Sequence, residues 1–286
     1  MRIAFFVRHR FHNAILRPIF DELQARHDCL LTHRFDLTVR HRPHVVVQSE
    51  GAVPMERLRG MLPSTLMVHT RHGLAAKTVT YRGVMQSDYT CVTSEWVRDQ
   101  YLLHNAQPRR AFWLTGYSQL DPLFRGEAIA LPFAIPENHQ RVLIAPTYDR
   151  GLSGVPLLNE TALRRLLTPG RTVIVKPHPH TEKTFPEWFS MCRELASREE
   201  NFHFASDAHE DLMAYLRCAD VLISDASSAA LEFLALDRPI VLLNNPARWN
   251  DRHYDPKGLE WRWRDMGEEL DDVELLPAAV DAALQN

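Results

Sequence analysis

Two consecutive α/β units, each a doubly wound parallel sheet, are predicted by three observations. Short apolar runs alternate with stretches of helical period along the chain; the runs are apolar throughout rather than at every second residue; and the alternation breaks once, between Gly126 and Gln140. Continuously apolar strands belong in a sheet covered by helices on both faces, and a single break divides the chain into a unit over residues 1–128 and another over 139–286. With 286 residues, 45% of them hydrophobic, the chain is long enough to bury two such cores.

The elements follow in order. Arg2 to Val7 reads as a buried strand, and Ala14 to Arg26 places Ile15, Ile19 and Leu23 on one helical face, with Leu16 and Phe20 beside them. Cys29 to Thr32, Pro43 to Val47, Ser64 to Val68 and Tyr89 to Val92 are further strands. Ser94 is placed to cap a helix through Leu103, with Glu95 in its first turn, and Ala111 to Leu114 adds a strand. Leu131-Pro132 and Ile135-Pro136 then interrupt any period. The second unit restarts at Arg141 to Ala145 and continues with strands at 172–175, 201–204, 220–223 and 239–243, helices between them, and a packing helix from Leu275 to Leu284. The stretch from Pro54 to Leu62 admits two readings: a short helix packed on the sheet, or a surface whose Met55, Leu58 and Leu62 touch a membrane.

Composition excludes several function classes. A net charge of −3 offers no overall basic field for nucleic acid, although fifteen histidines make the charge climb as pH falls through about 6.5. Cys29, Cys91, Cys192 and Cys218 are scattered, without the spacing of a disulfide framework or a zinc site, and read as free thiols in a reducing compartment. The apolar start is only a strand long and precedes Arg8, His9 and Arg10, the wrong order for a signal peptide. No run is long enough to span a bilayer. A cytoplasmic protein is expected, with peripheral association at the inner membrane face as a further expectation.

Charge-handling groups gather at predicted strand ends, where open parallel sheets bind ligands. In the first unit Val68 leads into His69-Thr70-Arg71-His72-Gly73; the glycine permits a sharp turn, and His72 can serve as a general base, or the histidines can simply satisfy loop hydrogen bonds. In the second unit a strand ends in Lys176-Pro177-His178-Pro179-His180. The prolines keep this segment extended, so the alternate side chains Lys176, His178 and His180 are expected to point the same way and hold phosphate oxygens. A strand-end His-x-His with Asp225 would also suit a metal-dependent hydrolase, but too few residues follow His180 for the barrel such enzymes use. Ser224-Asp225-Ala226-Ser227-Ser228 opens a helix that can receive a phosphate, with Glu232 one turn beyond Ser228 able to reach a ribose hydroxyl; capping is the simpler role for Asp225, Ser227 or Ser228. A phosphorylated substrate is the common implication.

The pieces together resemble the CDP-glycerol glycerophosphotransferase family, teichoic-acid type enzymes with the GT-B fold. His72-Gly73 resembles the family's His-Gly pair, Ser94 to Tyr101 its helix opening, and Gly116-Tyr117 with Asp121 its Gly-Tyr-Pro-Arg-x-Asp segment. Ala145-Pro146-Thr147 resembles its Ala-Pro-Thr turn, Lys176 to Pro179 its Lys-x-His-Pro element, and Ile223 to Ser228 with Glu232 its Ser-Asp-Tyr-Ser-Ser helix start. Ser118-Gln119-Leu120 and Ala226 depart from the pattern.

The resemblance implies two Rossmann-like domains facing across a cleft, an N-terminal acceptor domain and a C-terminal nucleotide-donor domain. It implies attack by a hydroxyl of a polyol or glycan acceptor, lipid-linked in some envelope pathways, on the β-phosphorus of CDP-glycerol or a related nucleotide-diphosphate donor, releasing CMP without a cofactor or metal. His72 would be the base. His178 would stabilise the diphosphate, helped by Lys176 and the Ser227-Ser228 helix start; Gly73, Thr147, His180, Ser224, Asp225 and Glu232 complete the expected substrate contacts. A nucleotide-sugar glycosyltransferase or epimerase, or a non-catalytic scaffold of the same fold, are the alternatives.

Overall fold

The computed structural model describes residues 1–9, 12–49, 52–71, 73–74, 81–126, 131–207 and 210–285. The chain divides into two compact units, Met1–Gly126 and Glu127–Asn286.

The first unit is built on six strands, β1 (Arg2–Phe6), β2 (Asp28–Thr32), β3 (Val45–Gln48), β4 (Leu66–His69), β5 (Tyr89–Val92) and β6 (Ala111–Leu114). They pair in parallel in the order β2-β1-β3-β4-β5-β6, so the winding reverses at β1. The strands are apolar throughout because both faces are covered. Ile3, Phe5 and Val7 face one layer with Leu16, Val47 and Val68, while Ala4 and Phe6 face the other with Val46, Met55, Leu58 and Met67. The helix Asn13–Gln24 supplies the first layer through Leu16, with Ile19, Phe20 and Leu23 packed against it. The helix Ala52–Met61 supplies the second, with Met55 and Leu58 fully buried and Leu62 packed beside them. Burial of these side chains overturns the membrane-touching reading of this stretch. Ser94 caps the helix Glu95–Leu103 as its sequence position requires, accepting the Val97 N–H at 3.3 Å.

The second unit holds β7 (Gln140–Ile144), β8 (Arg171–Val175), β9 (Phe202–Phe204), β10 (Val221–Ser224), β11 (Ile240–Leu243) and β12 (Glu268–Leu270). All pair in parallel in the order β12-β11-β10-β7-β8-β9. Counted from β7 this is the 3-2-1-4-5-6 winding of dinucleotide-binding sheets, with its reversal between β7 and β10. The core stacks Val142, Ile144, Val173, Val175, Val221, Ile223, Val241 and Leu243 against Trp188, Cys192 and Leu195 from the helix Pro186–Arg198. Leu276, Ala279 and Val280 of the helix Leu276–Ala283 close it, the packing role expected of that segment. The short edge strand β12 is absent from the sequence reading. Glu268-Glu269-Leu270 carries no apolar run, and it is a strand because β11 pairs with it.

Candidate active site

At the winding reversal of the second unit the carboxyl ends of β7 and β10 are tied together. Ala145 donates its N–H to the Ile223 carbonyl at 3.0 Å, and the Ser224 hydroxyl donates to the Ala145 carbonyl at 2.8 Å. Asp225, 2% exposed, then accepts the Thr147 N–H at 2.8 Å on one carboxylate oxygen and the Gly154 N–H at 2.8 Å on the other. The Ser153 hydroxyl lies 3.2 Å from the second oxygen and 2.8 Å from the Thr147 carbonyl. Asp225 thereby closes the loop 147–154 from both ends. Its backbone carbonyl accepts from Arg264 at 2.9 Å, and Arg264 also reaches Glu269 at 3.1 Å. Thr147 and Ser224 are buried with Asp225, each engaged by its neighbours through the bonds just given.

The loop so held carries Tyr148 to the carboxyl end of β8. The Tyr148 ring lies 4.3 Å from the His178 ring and meets His180 edge-on at 5.1 Å; the two imidazoles are 5.2 Å apart. His178 Nδ1 accepts the His180 backbone N–H at 3.1 Å, so the neutral ring carries its proton on Nε2 and presents a donor there. A neutral imidazole donor of this kind suits developing negative charge on a phosphate oxygen.

Lys176 takes different partners from the two imidazoles. Its ammonium, 5% exposed, donates to the Asp207 carbonyl at 3.1 Å and lies 5.8 Å over the Tyr215 ring. Burial pushes its pKa below the ordinary value of 10.5, opposed by the charges of Glu210, Asp207 and Asp211. The folded state therefore binds this proton less tightly than the unfolded chain does, and stability rises with pH between the depressed pKa and 10.5. Thermal melts across the alkaline range should show that rise and lose part of it in Lys176→Met; an unchanged slope would count against a buried, destabilised cation.

Ser227 is the N-cap of the helix Ser228–Phe233, its hydroxyl accepting the Ala229 N–H at 3.3 Å. Ser228 is half-buried at the helix start, and Glu232 is 2% exposed on the same helix. In the first unit His72 lies outside the described residues. Its flank is held by Arg71, which donates to the Gly73 and Leu74 carbonyls at 3.2 Å each and to the Tyr101 hydroxyl at 2.6 Å.

A family model described as CDP-Glycerol:Poly(glycerophosphate) glycerophosphotransferase matches residues 22–247, a span that takes in the loop 147–154, His178, His180 and the Asp225 clamp. The chain belongs to this glycerophosphotransferase family. No curated protein matches the sequence. Among solved structures, the wall teichoic acid polymerase TagF superposes with a TM-score of 0.69 at 13% identity, over 99% of this chain and 81% of that one. A putative UDP-N-acetylglucosamine 2-epimerase from Listeria monocytogenes gives 0.65 at 11% identity, over 100% and 88%. The UDP-GlcNAc 2-epimerase of Methanocaldococcus jannaschii gives 0.60 at 14%, over 100% and 93%. These likenesses show a GT-B-type fold of two Rossmann-like halves.

Several residues of this candidate site escaped the sequence reading. Tyr148 directly follows the Ala-Pro-Thr turn, but only the fold brings it to His178. Arg264 lies in the 246–266 segment, which has no period. Asp149, Asp251 and His253 also meet: His253 Nδ1 is 3.0 Å from Asp149, the His253 N–H donates to Asp251 at 2.7 Å, and one donor atom from each lies within 4.8 Å of the others. The contact pins the loop next to Tyr148 to the segment after β11. It carries the donor set of a cation site, two carboxylates and an imidazole.

Proposed function

We propose that the chain transfers a glycerophosphoryl group from CDP-glycerol to a hydroxyl of a cell-envelope or surface-polymer acceptor and releases CMP. The observation that carries this reading is the family match across residues 22–247. The acceptor oxygen forms a bond to the β-phosphorus while the bond from that phosphorus to the bridging oxygen breaks; the electron pair leaves with CMP, and the hydroxyl proton passes to His72. His178 donates from Nε2 to the diphosphate, with Tyr148 and the His180 N–H fixing its ring. Lys176 adds positive potential from below the strand end, and the start of the Ser228–Phe233 helix, with Ser227 and Ser228, faces the same negative charge. Asp225 acts by holding the 147–154 loop. In this reading the first unit takes the acceptor, with Gly73 next to the base in sequence, and the second takes the nucleotide; Thr147, His180, Ser224 and Glu232 shape the donor pocket.

No helix among the described residues is long and apolar enough to cross a membrane. The reading places the enzyme in the cytoplasm, at the inner membrane face where its acceptor is lipid-linked. A second reading, an enzyme acting on a nucleotide sugar, is favoured by the epimerase neighbours. Calorimetric titration with CDP-glycerol, CMP, CDP and UDP-N-acetylglucosamine separates the two. Selective cytidine binding, with turnover abolished in a folded His72→Ala variant, is the expected result. Preference for the uridine ligand would move the assignment to a sugar-nucleotide enzyme.

A further inference from the structure

A cavity of about 590 Å³ opens at the carboxyl ends of β1 and β2 in the first unit, within the size range of small-molecule sites. Val7 and Leu31 form its apolar part. Among the described residues its remaining lining is Arg8, His9, Asn13, Thr32 and His33, none of them a carboxylate. Among the described residues Arg8, Asn13 and His33 make no side-chain hydrogen bond or ion pair, so an arginine, an imidazole and an amide face the cavity uncommitted. Asp36, three residues beyond His33, is closed in a two-bond pair with Arg34 at 3.0 and 2.6 Å. Thr32, 8% exposed, accepts the Arg34 N–H on its hydroxyl oxygen at 3.1 Å, which leaves the hydroxyl proton to donate.

Asn13 opens a twelve-residue helix whose N-cap, His12, makes no side-chain capping bond and whose first turn contains no acidic residue. The positive end of that helix therefore has no acidic side chain in its own first turn to compensate it. Cationic and donor side chains beside a helix start, with no carboxylate among the described lining residues, have one chemical complement, a phosphate-type anion.

We propose that this cavity is an anion subsite that binds a phosphate or phosphodiester group of the acceptor. The existence of the subsite stands on the cavity alone; assigning its ligand to the acceptor rests on the transferase reading above. Strand spacing supports the assignment. In the order β2-β1-β3-β4 the end of β1 is two spacings, roughly 10 Å, from the end of β4, which leads toward His72. An acceptor with its phosphate in the cavity and its hydroxyl at the end of β4 carries the two groups roughly 10 Å apart, the reach of a phosphodiester-linked polyol rather than of a single glycerol phosphate. The subsite therefore selects an anionic acceptor over a neutral sugar or free glycerol.

Nuclear magnetic resonance titration of the intact protein tests this with sn-glycerol 3-phosphate, inorganic phosphate and glycerol as probes. Both phosphates should perturb the imidazole signals of His9 and His33 with millimolar affinity, and glycerol should not. Arg8→Ala and His33→Ala, both at exposed side chains, should each weaken binding about fivefold or more, with the double variant losing it. Phosphate binding that leaves His9 and His33 unperturbed, or equal affinity in the double variant, would overturn the subsite. In turnover assays the double variant should raise KM for an anionic acceptor at least tenfold with kcat at saturation retained; an unchanged KM would overturn the acceptor assignment. CMP affinity measured in the same samples judges the transferase reading separately, because neither substitution lies in the nucleotide-binding unit.

Discussion

Replacement of His178 by alanine is expected to lower kcat by about a hundredfold to ten-thousandfold, the range for loss of a positioned donor at a reacting phosphate. Folding should be preserved, because the ring is half-buried in a loop and no strand depends on it. Two further variants separate its two nitrogens. Asparagine places an oxygen near Nδ1, where it can still accept the His180 N–H, but offers nothing at the Nε2 position. Glutamine reaches toward the Nε2 position with an amide donor. His178→Asn should therefore match alanine in turnover while melting like the parent protein, and His178→Gln should recover part of the rate. Full activity in His178→Asn would remove the donor role from this residue.

Asp225→Ala is expected to destabilise the second unit by about 3–5 kcal/mol. The substitution strands the buried N–H groups of Thr147 and Gly154 and removes a partner of the Ser153 hydroxyl, at about 1–3 kcal/mol for each unsatisfied donor. Released at both ends, the 147–154 loop no longer holds Tyr148 on His178, so nucleotide affinity should fall together with stability. Asp225→Asn retains one acceptor oxygen but sets an amide NH₂ against the other N–H, and should fall between the two. Urea denaturation followed by cytidine-ligand titration measures both effects. A change in stability below about 1 kcal/mol would show that solvent or a rearranged loop satisfies these amides without the carboxylate.

The fold was legible wherever local pattern and tertiary demand agree. Odd and even residues of β1 are both apolar, which only a sheet covered on two faces explains, and the two layers found around Phe5 and Phe6 are that explanation. Ser94 was readable as a cap because capping is decided within one turn. The strand β12 was not, since its two glutamates acquire strand geometry only from pairing with β11. The extended run from Lys176 to His180 was legible as well, yet the partners of its side chains were not. Alternation along the prolines predicts a common direction, but the buried lysine settles on the Asp207 carbonyl and the Tyr215 face, while the histidines gather on Tyr148.

The sequence by itself therefore determined the parallel α/β class, the family and the identity of the strand-end histidines, because each is written in apolar runs or in residues a few positions apart. Tertiary structure alone decided which of those groups meet. Asp225 clamps a loop more than seventy residues before it, Tyr148 reaches His178 across thirty, and His253 bonds Asp149 across a hundred. Contacts over such separations depend on the winding order of the sheet, and that order is set by how both faces of all six strands are covered at once.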